Sequence, residues 1–206
     1  MTDHAEKVEI LSEETLHDGF MQLSRYQLKH TLYQGGWSPA LQRELLKRRN
    51  AVAVIPYDPV SDKIILIEQF RIGAIEDSDS AWLTEIVAGE IEEGEQIEAV
   101  ARRETEEEAG CTIEKLHHCF DFYLSPGGSS EKISLFCGLV DITGVDGIHG
   151  LAEEGEDIKV TVMGLNEAVD LLNQGALRSA IPIVGIQWLA MNRDRIRSLW
   201  GFDALG

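Results

Sequence analysis

The sequence predicts an α+β fold or a three-layer αβα sandwich, preceded by a small N-terminal antiparallel strand element. Three observations carry this expectation. Apolar β-prone runs outnumber helical patterns, the helical patterns fall between and after the strands, and residues 1–50 have a texture that the rest of the chain lacks. With 206 residues, 44% of them hydrophobic and 26% charged, the chain can build a sizeable core, and global disorder is excluded. The expected division is residues 1–50 as the strand element and residues 51–206 as the main domain.

Residues 7–12 and 20–32 alternate apolar with polar side chains (Phe20, Met21, Leu23, Tyr26, Leu28), as antiparallel strands with one solvated face do. Gly35 and Gly36 make a turn. Ser38 and Pro39 are helix-start signals, so the run PALQRELLKRR reads as a short helix or an irregular arm. Residues 51–57 and 63–70 are apolar β-prone runs separated by DPVSD, which predicts a hairpin. A short strand is expected at 82–87, two longer ones at 112–124 and 132–141 around SPGGSSE, and another at 157–163 after a Gly-rich loop of roughly fifteen residues. Helical patterns at 166–174 and 179–197 close the chain.

The net charge is −18, which makes a basic nucleic-acid footprint or a polybasic membrane surface improbable. A phosphate-bearing partner has to arrive with cations. The most apolar run, 181–191, is about half of a membrane span and contains Gln187, so it reads as a buried helix. The opening MTDHAEKVEI mixes acids and bases where a secretory leader needs a basic and then an apolar stretch, so the expected location is cytoplasmic. Cys111, Cys119 and Cys137 are odd in number, widely spaced and without a CxxC pair, and are expected to be buried small apolar residues.

Residues 89–111 read GEIEEGEQIEAVARRETEEEAGC and carry most of the chemistry. Between Glu85 and Glu108 there are ten glutamates against Arg102 and Arg103. Composition alone suggests a solvated acidic helix. Helical phase says otherwise. At about 100° per residue, Ile97, Val100 and Ala101 share a stripe that Glu104, Glu107 and Glu108 continue, while Arg102 and Glu106 point away. Like charges at i, i+3 and i+4 repel, and burying them raises the cost, so they call for a compensating cation. Magnesium characteristically uses one or two carboxylates with waters and substrate phosphates.

Gly89, Glu95, Arg103, Glu104, Glu107, Glu108 and Gly110 stand at the spacing of a known signature, and the segment resembles that of the Nudix hydrolases. Thr105 and Cys111 are mild departures, in slots that usually hold larger apolar residues. Within that family the chain resembles the bacterial ADP-ribose pyrophosphatases, on SPGGSSE (125–131), LIEQFRIGA (66–74), the Ala88–Gly89 step and GIHGLAEEGEDIKV (147–160). Relatives acting on GDP-mannose and other nucleoside diphosphate sugars share the same frame.

The resemblance implies an α+β fold, a Nudix αβα sandwich with a mixed sheet, that hydrolyses ADP-ribose to AMP and ribose 5-phosphate with Mg2+, or Mn2+ in its place. A broader nucleoside diphosphate sugar hydrolase and a non-catalytic Nudix-fold nucleotide sensor are the alternatives. It further implies Glu104, Glu108 and Glu156 as metal ligands with the carbonyl oxygen of Ala88, and Glu107 and Arg103 in support. Glu154 is assigned as general base, with its role and that of Glu156 interchangeable. Arg71 is expected to stack on adenine or pair with phosphate. Phe20 matches an adenine-stacking position, or belongs to the small core, and Arg43 and Glu131 match positions near phosphate and terminal ribose. The strand element, too small to bury its own apolar face, is expected to make a homodimer. His117 and His118 are adjacent in a strand and point to opposite faces, so no histidine joins the site.

Overall fold

The computed structural model describes residues 6–203. The first five residues, which include half of the opening stretch read for a leader, and the last three lie outside the described residues. The chain forms two compact units. One holds the described residues through Asn50 together with Tyr123–Lys132, and the other holds Ala51–Phe122 and the described residues from Ile133 onward.

The first unit is a three-stranded antiparallel sheet, β1 (Val8–Asp18), β2 (Gln22–His30) and β3 (Leu41–Lys47), with β2 central. The third strand corrects the expected helix or arm. Leu41–Lys47 pairs with β2 from Leu28↔Leu41 to Gln22↔Lys47, so a helix-compatible run is held extended by seven ladder partners. Propensity is a weak prior against such pairing. Ser38 caps no helix; its Oγ accepts the His30 N–H at 3.1 Å and donates to the Pro39 carbonyl at 2.8 Å. Arg25 on β2 bridges Glu14 (3.3 Å) and Glu44 (3.2 Å) across the exposed face.

The second unit is built around β4 (Ala51–Asp58), whose eight residues are all buried. A continuous apolar run suits a strand covered on both faces. Alternate side chains take opposite sides. Val52 and Val54 join Ile65 and Ile67 of β5 (Lys63–Phe70) and Val100, Ala101 and Ala109 of helix α1 (Ile97–Ala109) in one core layer. Ile55 and Tyr57 face the other way, toward α3 (Ala180–Trp200). There a Cβ on Gly185 would come within 3.1 Å of Ile55, and the Tyr57 and Trp200 rings lie 6.4 Å apart. With α2 (Leu165–Asn173) packed beside α3, the helices form two layers about the sheet.

The 51–70 hairpin pairs only at Tyr57↔Ile64 and Asp58↔Lys63; beyond those rungs the strands diverge. Into the fork run β6 (Trp82–Glu85), antiparallel to β5, and β7 (Val87–Glu90), antiparallel to β4. The single strand expected at 82–87 is therefore two, because the chain changes partner at Ile86. Next come β8 (Lys115–Tyr123), β9 (Lys132–Leu139), β10 (Ile148–His149) and β11 (Ile158–Gly164). The sheet order is β10-β11-β5-β4-β9-β8, and the parallel β4–β9 pair makes it mixed. The Gly-rich loop is more structured than expected, since β10 pairs with β11 and a 3-10 turn covers Ala152–Glu154. Cys111 and Cys137 are buried as expected, whereas Cys119 is only partly so. Among the described residues no helix is long and apolar enough to cross a membrane.

Candidate active site

The fork between β4 and β5 places β7 beneath α1. Val52 of the α1-facing core is paired with Gly89, so Gly89 faces α1 as well. It faces the Glu104 carboxyl directly, and a Cβ on Gly89 would lie 2.0 Å from Glu104 Cδ. Any other residue displaces that carboxylate. One step earlier on β7, the Ala88 N–H donates to Glu108 Oε2 at 2.9 Å. The Ala88–Gly89 step is thus the floor on which two carboxylates rest.

The inward glutamate stripe on α1 is real over its C-terminal half. Glu108 is 2% exposed, and the side chains of Glu104 and Glu107 are 12% and 26% exposed, while Arg102 and Glu106 face solvent. Ile97 departs from the expected stripe; it opens the helix and is exposed. Thr105 is fully buried and its hydroxyl donates to the Ala101 carbonyl at 2.8 Å, so a polar residue fills the apolar slot without an unpaired group.

The electrostatics follow from this packing. Burial, with Glu107 and Glu156 adding repulsion, pushes Glu104 up to about 7 against the opposing pull of Arg103. Burial also pushes Glu108 up to about 8, with Glu104 and Glu156 adding to it and the Ala88 N–H and Arg71 working against it. Burial works against the Arg103 charge too, but Glu104, Glu107 and Glu95 outweigh it and hold the guanidinium above its ordinary range. Arg103 Nη1 lies 2.8 Å from Glu104 and 3.0 Å from Glu107, and its Nη2 lies 3.6 Å from Glu95. Glu95 in turn accepts the Glu92 N–H at 2.9 Å and closes the loop ahead of α1.

Glu156 reaches this cluster from the 147–157 segment. The Gly150 N–H donates to the Glu107 carbonyl at 3.0 Å, which ties the segment to α1, and Glu156 Oε2 accepts the Leu151 N–H at 3.0 Å. Glu154 sits apart on the exposed 3-10 turn and, among the described residues, makes no hydrogen bond or ion pair to α1. Arg71 follows β5 and is bound through Nε and Nη2 to Glu85, both at 2.8 Å. Phe20, Arg43 and Glu131 belong to the first unit. Phe20 is 92% exposed, which removes its reading as core; Arg43 is exposed on β3, and Glu131 pairs with Arg48 at 3.7 Å.

Sequence reasoning missed Glu85, which is buried at the end of β6. The one available signal was alternation, since Glu85 shares a strand face with Leu83 rather than with Trp82 and Thr84.

Among the described residues no three His, Cys, Asp or Glu side chains converge as a ready chelate. Each carboxylate is turned to a substitute partner, Glu104 to Arg103, Glu108 to the Ala88 N–H and Glu156 to the Leu151 N–H. The donors are nonetheless all hard oxygens, and two of them carry raised pKa values that a nearby cation would relieve. That donor set fits a hard divalent ion.

The family model described as NUDIX domain matches residues 47–182. An ADP-ribose pyrophosphatase of Haemophilus influenzae is 48% identical over 94% of this chain and 90% of its own length. An ADP-ribose pyrophosphatase of Escherichia coli strain K12 is 43% identical over 94% and 92%, and a GDP-mannose pyrophosphatase of Cronobacter sakazakii is 29% identical over 88% and 96%. A crystal structure described as an ADP compounds hydrolase superposes with a TM-score of 0.70 at 20% identity, over 95% of this chain and 96% of that one, a likeness of fold.

Proposed function

The chain belongs to the NUDIX domain family, and on that premise we propose that it hydrolyses the pyrophosphate bond of ADP-ribose to AMP and ribose 5-phosphate, using Mg2+ or, in its place, Mn2+. The observation that carries the reading is the pair Glu104 and Glu108, held on the Ala88–Gly89 floor with repulsion that a cation offsets. ADP-ribose is favoured over GDP-mannose because the relatives named for it are 48% and 43% identical and the one named for GDP-mannose is 29% identical.

In this reading Glu104, Glu108, Glu156 and the Ala88 carbonyl hold the ion. When bound, the ion neutralises phosphate charge and lowers the pKa of water beside it. Arg103, in contact with Glu104 and Glu107, would orient both carboxylates toward the ion they would hold. Arg71 receives a phosphate or stacks on adenine. As a water oxygen bonds to phosphorus and the bridging P–O bond breaks, Glu154 accepts the proton of that water. From its exposed turn Glu154 has to swing inward, between Gly150 (φ 95°) and Gly155 (φ 75°) as pivots.

In this reading the chain is a homodimer whose residues 1–50 help complete the partner's nucleotide pocket, with Phe20 assigned to adenine and Arg43 and Glu131 to phosphate and terminal ribose. Supporting this, β1 leaves Val8 and Ile10 65% and 60% exposed, and the turn between β2 and β3 leaves Tyr33 94% exposed. Three free cysteines suit a cytoplasmic setting.

The experiment is an assay with magnesium on ADP-ribose, ADP-glucose, GDP-mannose and diadenosine compounds. ADP-ribose is expected to show the highest kcat/KM. Preference for GDP-mannose would overturn the substrate, and no turnover of any compound would favour a nucleotide sensor. A monomeric mass at micromolar concentration, with full activity after removal of residues 1–50, would contradict the dimer.

A further inference from the structure

Glu85 is 8% exposed, and in the register it stands opposite Ile67, on the face of the sheet that packs against α1. Its Oε2 accepts the Nε–H of Arg71 at 2.8 Å and lies 2.8 Å from Arg71 Nη2. The guanidinium thus meets one carboxylate oxygen along its Nε–Nη2 edge, a charge-assisted contact. The Arg71 side chain nevertheless remains 42% exposed. Glu85 and its strand partner Ile67 share the side of the sheet that packs against α1, the helix that carries Glu104 and Glu108. Two residues before it on β5, Gln69 is 6% exposed and its Nε2 has no hydrogen-bond partner among the described residues, so this strand end presents a second donor with unspent capacity.

An exposed ion pair contributes little, and a carboxylate is costly to bury, so stability is a poor reason for this arrangement. Preorganisation is a better one. A long flexible side chain loses rotamer freedom when it meets a ligand, unless the fold has already ordered it. We propose that Glu85 is a positioning residue, holding the Arg71 guanidinium at the end of β5 so that a diphosphate-bearing ligand meets it already oriented. This rests on the reading of the α1–β7 cluster as a nucleotide pyrophosphate site.

Calorimetric binding of ADP-ribose to the full chain in EDTA measures Kd without turnover, and steady-state assays at saturating magnesium measure kcat and KM. Glu85→Gln is expected to raise Kd and KM about tenfold, the loss of one charge-assisted contact. It leaves kcat within about twofold and the half-saturating magnesium concentration unchanged, the mark of lost uniform binding. Glu85→Asp, which keeps the charge, recovers part of the loss. Arg71→Ala costs at least as much, and adding Glu85→Gln to it costs nothing more, because the two act as one unit. Wild-type Kd and KM in a folded Glu85→Gln variant, or a full additional loss in the double variant, overturns the proposal. A melting temperature lowered without change in Kd also overturns it, as a purely structural role. The two readings separate cleanly. If the wild type fails to hydrolyse ADP-ribose while the Kd pattern holds, hydrolysis falls and the positioning role stands; normal hydrolysis with unmoved Kd does the reverse.

Discussion

The two acidic segments assigned to the proposed site stand in opposite physical situations. On α1 the carboxylates are buried against a glycine floor, bonded to Ala88 and Arg103, and pushed up to about 7 and 8. On the 147–157 segment Glu153 and Glu154 stand exposed on a single 3-10 turn, while Glu156 is partly buried and bonded to Leu151. The helix stores repulsion in a rigid frame, which suits groups that must be in place before a cation arrives. The turn stores nothing and can move, which suits a group needed only once substrate is bound.

The largest effect is expected where the frame is most rigid. Glu104→Gln or Glu108→Gln should lower turnover about a hundredfold or more, on the scale of lost metal-site residues, with little loss of fold stability. Near-normal kcat in both variants at saturating magnesium would break the contrast at its stronger end. Glu154→Gln should cut kcat by about 10²-fold or more, as removal of a general base does. It should leave substrate affinity and metal requirement nearly unchanged, whereas Glu156→Gln should raise the magnesium needed for half-maximal rate. If Glu154→Gln shifts the magnesium dependence and spares kcat at saturation, the two roles must be exchanged.

A subtler test acts on the floor. Gly89→Ala drives a methyl group into Glu104, and its expected cost is about 1–3 kcal/mol of stability by overpacking, read as a lower Tm, with weakened magnesium binding. A Gly89→Ala protein that melts and binds magnesium like the parent would show that Glu104 can retreat freely.

The smallest effect is a pH slope in metal-free protein. Burial pushes Glu104 and Glu108 up to about 7 and about 8 from the ordinary 4.5, so in this range the folded state binds more protons than the unfolded one. Their contribution to stability is full below the unfolded pKa and is lost as pH rises through the folded values. In EDTA, Tm should therefore rise by several degrees as pH falls from 9 to 6, at about 2–4 °C per kcal/mol for a chain of this size. Glu108→Gln should flatten the slope. A Tm that falls on acidification over that range would contradict the buried-repulsion account.

The parts of the site legible in the sequence were those governed by local periodicity. Helical phase placed Glu104, Glu107 and Glu108 inward and Arg102 and Glu106 outward, because rotation per residue is a property of the backbone and Val100 and Ala101 mark the buried side. The same logic failed at Ile97, where the helix begins before it reaches the core, and at Leu41–Lys47, where ladder bonds to β2 outweighed a helix-compatible run.

The sequence by itself determined the αβα class, the NUDIX family and the inward carboxylate stripe, since all three rest on spacing along one chain. Only tertiary structure decided that the 51–70 hairpin opens after two rungs, that β6 and β7 enter the fork with different partners, and that Glu85 is thereby buried against Arg71. The reason is that strand pairing joins residues far apart in sequence. Which edge a strand meets depends on what else competes for its backbone donors and acceptors, and no local pattern records that competition.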